Sequence, residues 1–390
     1  MSIRGKAAIA GVGLSNKVGR VPGVSPLALS AQACMAAIED AGIDKTEIDG
    51  VMSTHCFSAD FHRYSIAISE YLGIQPTFST NIQVSGGTSA AALNQAAAAI
   101  NAGLAEVILF TIGDSMLTGM TPDMALRAMS ESRDQQYEMP FGIPASNTFA
   151  MTCARHMHVY GTTRAQLSEV AVTFRNHALN TPGAQMTEPI THDDVANSKL
   201  VSTPYRKLDC ALISDGGVAW IMTTPERAKS MRKKPIYILG GGECYTQEHI
   251  FLMEDLTVTG GVTSSRLAYD MAGVKPSDFD VAGIYDCFTG TVVLCVEDLG
   301  FCKKGEGGPF IADGNLTYGG AIPTNTHGGL LSFAHIGNGG STLHFIEVVR
   351  QLRGECGDRQ VAGAELGLFH SLGGGLSSIA TTVIGTEATL

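Results

Sequence analysis

AGIDKTEIDGVM at residues 41–52 and AGVKPSDFDVAG at residues 272–283 are the stretches that decide the fold. Their offset is 272 − 41 = 231. In each copy a helix-like segment (27–40 and 264–271) ends at a glycine, a short acidic loop follows, and an apolar strand begins. The same offset pairs Cys56 with Cys287. A second pair lies further on. Residues 85–103 and 336–354 both open with small residues, run as a helix and end at glycine, with an offset of 354 − 103 = 251. A β-rich stretch follows each, at 106–111 and 366–370. A chain written twice in this way is an internal duplication. Each half reads as a βαβαβ-like unit around a largely buried sheet, so the fold class is α/β.

The 390 residues exceed one ordinary core and divide at 1–230 and 235–390. The first half carries a loop insertion at about 115–204 with one helix near 148–159, and 225–234 links the halves. The second half opens on Pro235-Ile236-Tyr237-Ile238-Leu239. Net charge is −11 and the longest basic run is Arg232-Lys233-Lys234, which argues against a nucleic-acid-binding face. The opening MSIRGKAAIAGVG holds no apolar signal segment, and the apolar run at 105–112 is too short to cross a membrane. Nine cysteines without any CxxC spacing predict reduced thiols, a cytoplasmic location and no metal site. His156 and His158, two apart on a helix, do not share a face and are poor metal ligands. Gly240-Gly241-Gly242 lacks the context of a dinucleotide loop.

Four segments carry a resemblance: Tyr285-Asp286-Cys287-Phe288-Thr289; Asn325-Thr326-His327-Gly328-Gly329; Ala334-His335-Ile336-Gly337, shortly after Gly328-Gly329-Leu330-Leu331; and His370-Ser371-Leu372-Gly373-Gly374-Gly375. With the two tandem halves they resemble the thiolase superfamily over nearly the whole chain, and its sterol-carrier-protein-type branch in particular. The resemblance implies an αβαβα sandwich, a homodimer, coenzyme A as substrate or product, and no tightly bound cofactor. It also implies a catalytic base at His335, in a glycine-rich setting (Gly337, Gly339, Gly340) that leaves little bulk to bury a merely structural ring.

One position departs from the pattern. The family places its nucleophilic cysteine at the start of the first-half helix, and the offset of 251 sets Val84 opposite His335 there. Ser85 beside it reads as a helix cap or a donor to a bound carbonyl. In the branch resembled, the cysteine at the position of Cys287 moves protons. Here it keeps that role, takes over as nucleophile, or is an inert buried thiol. Tyr285 stands where those thiolases have histidine. Similar thiolase-fold aldolases, which cleave β-hydroxyacyl-CoA thioesters, show a YD-F-T motif, lack the cysteine and use tyrosines as proton-transfer groups. Asn325 and His327 are expected to hold a water or an oxyanion, or to stabilise a turn. The amides of Gly86, Gly87 and Gly374, with the loop after His370, are expected to bind the thioester oxygen.

The reaction expected is Claisen or retro-Claisen chemistry on a β-oxoacyl-CoA with a bulky aromatic or steroid-type acyl group. A retro-aldolase on a β-hydroxyacyl-CoA and a non-catalytic acyl-CoA-binding subunit are the alternatives. Relatives of this kind imply a small zinc-ribbon and OB-fold partner subunit. The dimer is expected through a first-half sheet edge formed by 107–111 and 81–84. The stretch 115–144, with Met116, Met120, Met124, Met129 and Met139, is expected to cover the coenzyme A site or to make dimer contacts.

Overall fold

The computed structural model describes residues 2–128, 133–141 and 144–390. The first half runs β1 (Ala8–Leu14), α1 (Pro26–Ala41), β2 (Gly50–Ser53), α2 (Tyr64–Leu72), β3 (Phe78–Asn81), α3 (Thr88–Asn101) and β4 (Val107–Ser115). An insertion follows: α4 (Met116–Gly119), α5 (Pro122–Ala128), α6 (Ala145–Tyr160), α7 (Arg164–Leu179), α8 (His192–Asn197) and the hairpin β5 (Leu200–Ser202) and β6 (Tyr205–Arg206). The chain returns to the sheet in β7 (Asp215–Thr223) and passes through α9 (Pro225–Ala228). The second half runs β8 (Ile236–Tyr245), α10 (Gly261–Ala272), β9 (Val281–Ile284), α11 (Thr289–Asp298), α12 (Gly307–Ala312), α13 (Gly329–Ser332), α14 (Thr342–Arg353), β10 (Leu366–Gly373) and β11 (Ser378–Gly385).

Local chemistry sets these boundaries. Ser25 accepts from Ala28 N–H with Pro26 at the first helical position, which starts α1. Gly42 and Gly273 end α1 and α10 in the left-handed conformation that glycine adopts without strain. Both helices are followed by a 3-10 turn and a four-residue strand, so the offset of 231 holds from Ala41 and Ala272 through β2 and β9.

Strand order is β3-β2-β4-β7-β1-β8-β11-β10-β9. Within the sheet the two halves are joined where β1 pairs with β8, Ala8 with Tyr237 and Ile9 with Ile236. Beyond β9 a single parallel bridge, Ala282 to Thr324, stands where β3 lies in the first half. Helix α1 covers one outer face, against β1, β4 and β7, and α10 covers the other, against β8 and β11. Helices α3 and α14 lie between, each touching strands of both halves, which completes an αβαβα sandwich. The glycine triplet of β8 serves this packing. A Cβ at Gly240 would lie 2.2 Å from Ala268 O, and one at Gly242 2.0 Å from Ser264 O, so α10 rests directly on the strand backbone.

The core is two apolar clusters, one over the first-half sheet and central helices, one under α6, α7 and α11. Trp220 is fully buried and stacks on Phe110 at 5.1 Å, a pairing worth about 0.5–1.5 kcal/mol beyond its area. The expectation that 107–111 forms an edge is corrected: β4 is bonded on both sides, by β2 and β7, and β3 is the edge strand. In the methionine-rich stretch, Met116 is buried and Met124 and Met139 are exposed, while Met129 lies outside the described residues. Among the described residues no helix is long and apolar enough to cross a membrane.

Candidate active site

The N-terminal ends of α3 and α14 lie side by side in the middle layer. Thr342 Oγ1 is 2.8 Å from Ser89 Oγ, and Ser341 Oγ donates to Gly86 O at 3.2 Å. Each helix is entered through a 3-10 turn, Ser85–Gly87 and Gly337–Gly339. These turns correspond at 337 − 85 = 252, because the second copy is one residue shorter between turn and helix end. The repeat therefore pairs Val84 with Ile336, and His335 with Gln83, one residue from the pairing expected.

Val84 is pinned at both backbone atoms: its N–H donates to Thr88 Oγ1 (3.1 Å) and its carbonyl accepts from Ser378 Oγ (2.6 Å). Ser85 is left with φ +52°, a left-handed conformation that costs a non-glycine residue about 1 kcal/mol or more. The expected capping role of Ser85 is corrected. Neither the turn nor α3 has a side-chain cap; Thr88 Oγ1 instead accepts from Val84 N–H ahead of the turn. Gly87 N–H is also spent locally, on Val84 O at 3.2 Å.

The loop after β10 closes against this turn. A Cβ on Gly373 would fall 2.1 Å from Gly86 N, so two glycine backbones meet without side chains between them. Tyr285, just past β9, brings its hydroxyl to the same place: a Cβ on Gly86 would sit 2.9 Å from it. Burial pushes the Tyr285 pKa well above the usual phenol value, so the hydroxyl keeps its proton and can donate it.

His335 faces Tyr285 edge-on, with ring centroids 6.3 Å apart. Its Nδ1 is 3.2 Å from Leu212 O, and its backbone N–H donates to Ser214 Oγ at 2.9 Å. A carbonyl only accepts, so Nδ1 carries the hydrogen and Nε2 is left with its lone pair. That Nε2 is buried and without a partner among the described residues. Burial lowers the His335 pKa to about 4, against an opposing pull from Asp286. Gly340 makes room for the ring: a Cβ there would lie 2.3 Å from His335 Cδ2.

Beneath these groups lies a buried polar chain. Asp286 accepts from Leu330 N–H (2.9 Å) and Leu331 N–H (3.3 Å), which ties the 285–287 segment to the start of α13. His344 Nε2 is 3.0 Å from Asp286 Oδ1, and His344 Nδ1 is 3.3 Å from His327 Nε2. Sequence reasoning missed His344. The signal was Asp286, a carboxylate in a motif otherwise apolar, since a buried carboxylate needs partners.

The geometry bears on four expected roles. Asn325, at φ +49°, turns its amide to β9: Oδ1 accepts from Ile284 N–H (2.9 Å) and Nδ2 donates to Ile284 O (2.7 Å). One Nδ2 hydrogen and the Oδ1 are thus committed to fixing the loop, the turn-stabilising role that was the alternative expected for it. His327 is set behind the site, against His344 and Phe333, lining a separate cavity of about 170 Å³. His370 faces away. Ser371 bonds to Gly87 O and Ala90 N–H on the α3 side, while His370 points to the other face, at 2.9 Å from Thr381 Oγ1. The Cys287 thiol lies 3.6 Å from Thr291 Oγ1 and near the Phe288 backbone, and burial pushes its pKa far up. Burial therefore favours the thiol over the thiolate, in keeping with the proton-moving role expected of Cys287 more than with that of a nucleophile.

Two family models match the chain: thiolase, N-terminal domain, over residues 12–218, and thiolase C-terminal domain-like, over residues 242–386. An acetyl-CoA acetyltransferase of Methanothermobacter thermautotrophicus is 35% identical over 94% of this chain and 96% of its own. A steroid side-chain-cleaving aldolase of Thermomonospora curvata is 36% identical over 89% of this chain and 90% of its own. Among solved structures, the Ltp2-ChsH2(DUF35) aldolase superposes with a TM-score of 0.89 at 32% identity, covering 99% of both chains.

Proposed function

The chain belongs to the thiolase family, and from that membership we propose that it makes or breaks the bond between Cα and Cβ of a β-oxoacyl-CoA by Claisen or retro-Claisen chemistry, with no acyl-enzyme. The observation that supports this most is the free, unprotonated Nε2 of His335 in a site whose nucleophile position holds Val84. In the cleavage direction Nε2 takes the proton of the coenzyme A thiol, and the sulfur adds to the β-carbonyl. The Cα–Cβ bond then breaks, and its electron pair forms the enolate of the departing thioester. The Tyr285 hydroxyl or the newly charged His335 returns a proton to Cα. The amides of Gly86 and Gly374, at the helix start and the facing loop, are the donors for the oxygen that becomes negative.

Retro-aldol cleavage of a β-hydroxyacyl-CoA is the second reading, favoured by the Tyr285 hydroxyl lying against Gly86. It passes through the same enolate, starting with removal of the β-hydroxyl proton. The identities to the acetyltransferase and the aldolase, 35% and 36%, do not separate the two. Product analysis does: a β-oxoacyl-CoA with free coenzyme A gives two thioesters, whereas a β-hydroxyacyl-CoA gives one thioester and a free aldehyde or ketone. Turnover of neither, alone or with a partner subunit, would leave only a binding role. A second subunit is part of the proposal; a solved aldolase of similar shape is named as a pair. So are a homodimer, a bulky acyl group and a cytoplasmic location.

A further inference from the structure

We propose that the site carries a carboxylate-binding subsite built on Arg133, so that the acyl group of the substrate bears a free carboxylate besides its thioester. The inference rests on the acyl-CoA reading above and names its substrate class.

Arg133 is 4% exposed, and its Nε and Nη1 have no hydrogen-bond partner among the described residues. The guanidinium lies against the glycine loop of the site: a Cβ on Gly375 would be 3.0 Å from Arg133 Nη1 and 3.8 Å from the Thr148 methyl. Gly373, two residues earlier, abuts Gly86, so the loop has the reaction centre on one side and Arg133 on the other. Thr148 is fully buried with its Oγ1 unpartnered, and the Glu248 carbonyl also faces Gly375, 3.2 Å from the same Cβ position. Three unmet donors, Arg133 Nε and Nη1 and Thr148 Oγ1, thus gather at one loop.

The acidic groups nearby do not satisfy them. Glu138 gives Oε2 to Asp134 N–H and to His249 Nδ1, both at 2.9 Å, and only its Oε1 is unmet. Glu248 accepts from Ser377 Oγ at 3.4 Å. Both carboxylates favour the charge that burial disfavours, but neither is hydrogen-bonded to Nε or Nη1. A dehydrated guanidinium with Nε and Nη1 unpaired is costly, and its planar fork matches two carboxylate oxygens. A surplus of donors beside the acyl path calls for an acceptor-rich group on the acyl chain.

Binding by calorimetry tests this without turnover, using succinyl-, glutaryl- and adipoyl-CoA against butyryl-, valeryl- and hexanoyl-CoA. The wild-type protein should bind at least one diacid thioester about tenfold or more tighter than its neutral counterpart. Arg133→Met should erase that preference and leave the neutral thioesters unaffected. Gly375→Ala, which crowds Nη1, should erase it too, and serves if Arg133→Met does not fold. Absence of any preference in the wild type, or equal weakening of both series in Arg133→Met, overturns the subsite. If no thioester binds at all, the acyl-CoA reading itself fails and takes the subsite with it.

Discussion

At His335 one carbonyl divides the work of the two ring nitrogens. Leu212 O holds the hydrogen on Nδ1, so Nε2 is a base by geometry and not by a high pKa. His335→Ala should keep the fold and lose activity by about 10²–10⁴-fold; a folded variant within a few-fold of wild type would remove the assignment. The pH dependence follows with its sign. A histidine lowered to about 4 is neutral throughout pH 5–8, so kcat/KM should stay flat on acidification from 7 to 5. A fall centred near pH 6.5 would mean that the base is an unperturbed imidazole. Cys287→Ser should leave measurable activity, and Tyr285→Phe should do more damage. His335, Tyr285 and Gly86 were legible from short motifs, because each motif supplies its own backbone frame. Asn325 was left between two roles and His370 was misassigned because their orientation is set by distant partners: a strand 41 positions away for Asn325, and the sheet face for His370. His344 escaped notice because nothing local marks the first turn of α14 as lying over Asp286.

Among elements, the entries to α3 and α14 are what bring the groups together. The offset of 231 was legible because Gly42 and Gly273 are helix ends written in sequence. The offset of 252 at the helix starts was not, since losing one residue from a run of glycine and serine leaves no mark. Gly340→Ala tests whether the turn positions the base. Its Cβ would press on the His335 ring at 2.3 Å, and a displacement of about 1 Å at a reacting group costs roughly 10²-fold. Activity should drop about that far with little change in melting temperature; unchanged activity would show that the ring position is not critical. At the sheet edge, β3 alternates half-buried and exposed residues, and an open edge of that kind needs a cover. Light scattering should give about twice the 40.9 kDa chain mass, and a monomer at micromolar concentration would contradict a dimer through this edge.

For the molecule as a whole, the buried histidines make folding sensitive to acid. Burial lowers His177 and His335 to about 4 and His370 to about 3, and His327 falls well below its usual value. The unfolded chain binds these protons near pH 6.5, so between 6.5 and about 4 it holds more protons than the native state. Stability is therefore full above 6.5 and is lost as pH falls through that window. Asp114 and Asp298, raised by burial, work in the opposite sense nearer the carboxylate range. The urea midpoint should fall from pH 7 to 5.5, and His370→Gln should lessen the slope; a constant midpoint would contradict the burial of neutral rings.

The absence of a covalent intermediate is tested most directly by the mass of the protein after rapid quenching with its acyl-CoA during turnover. Val84 at the nucleophile position and a protonated, enclosed Cys287 predict the unmodified chain mass, with no acyl group on any of the nine cysteines. A stoichiometric acyl adduct on the peptide that carries Cys287 would contradict it.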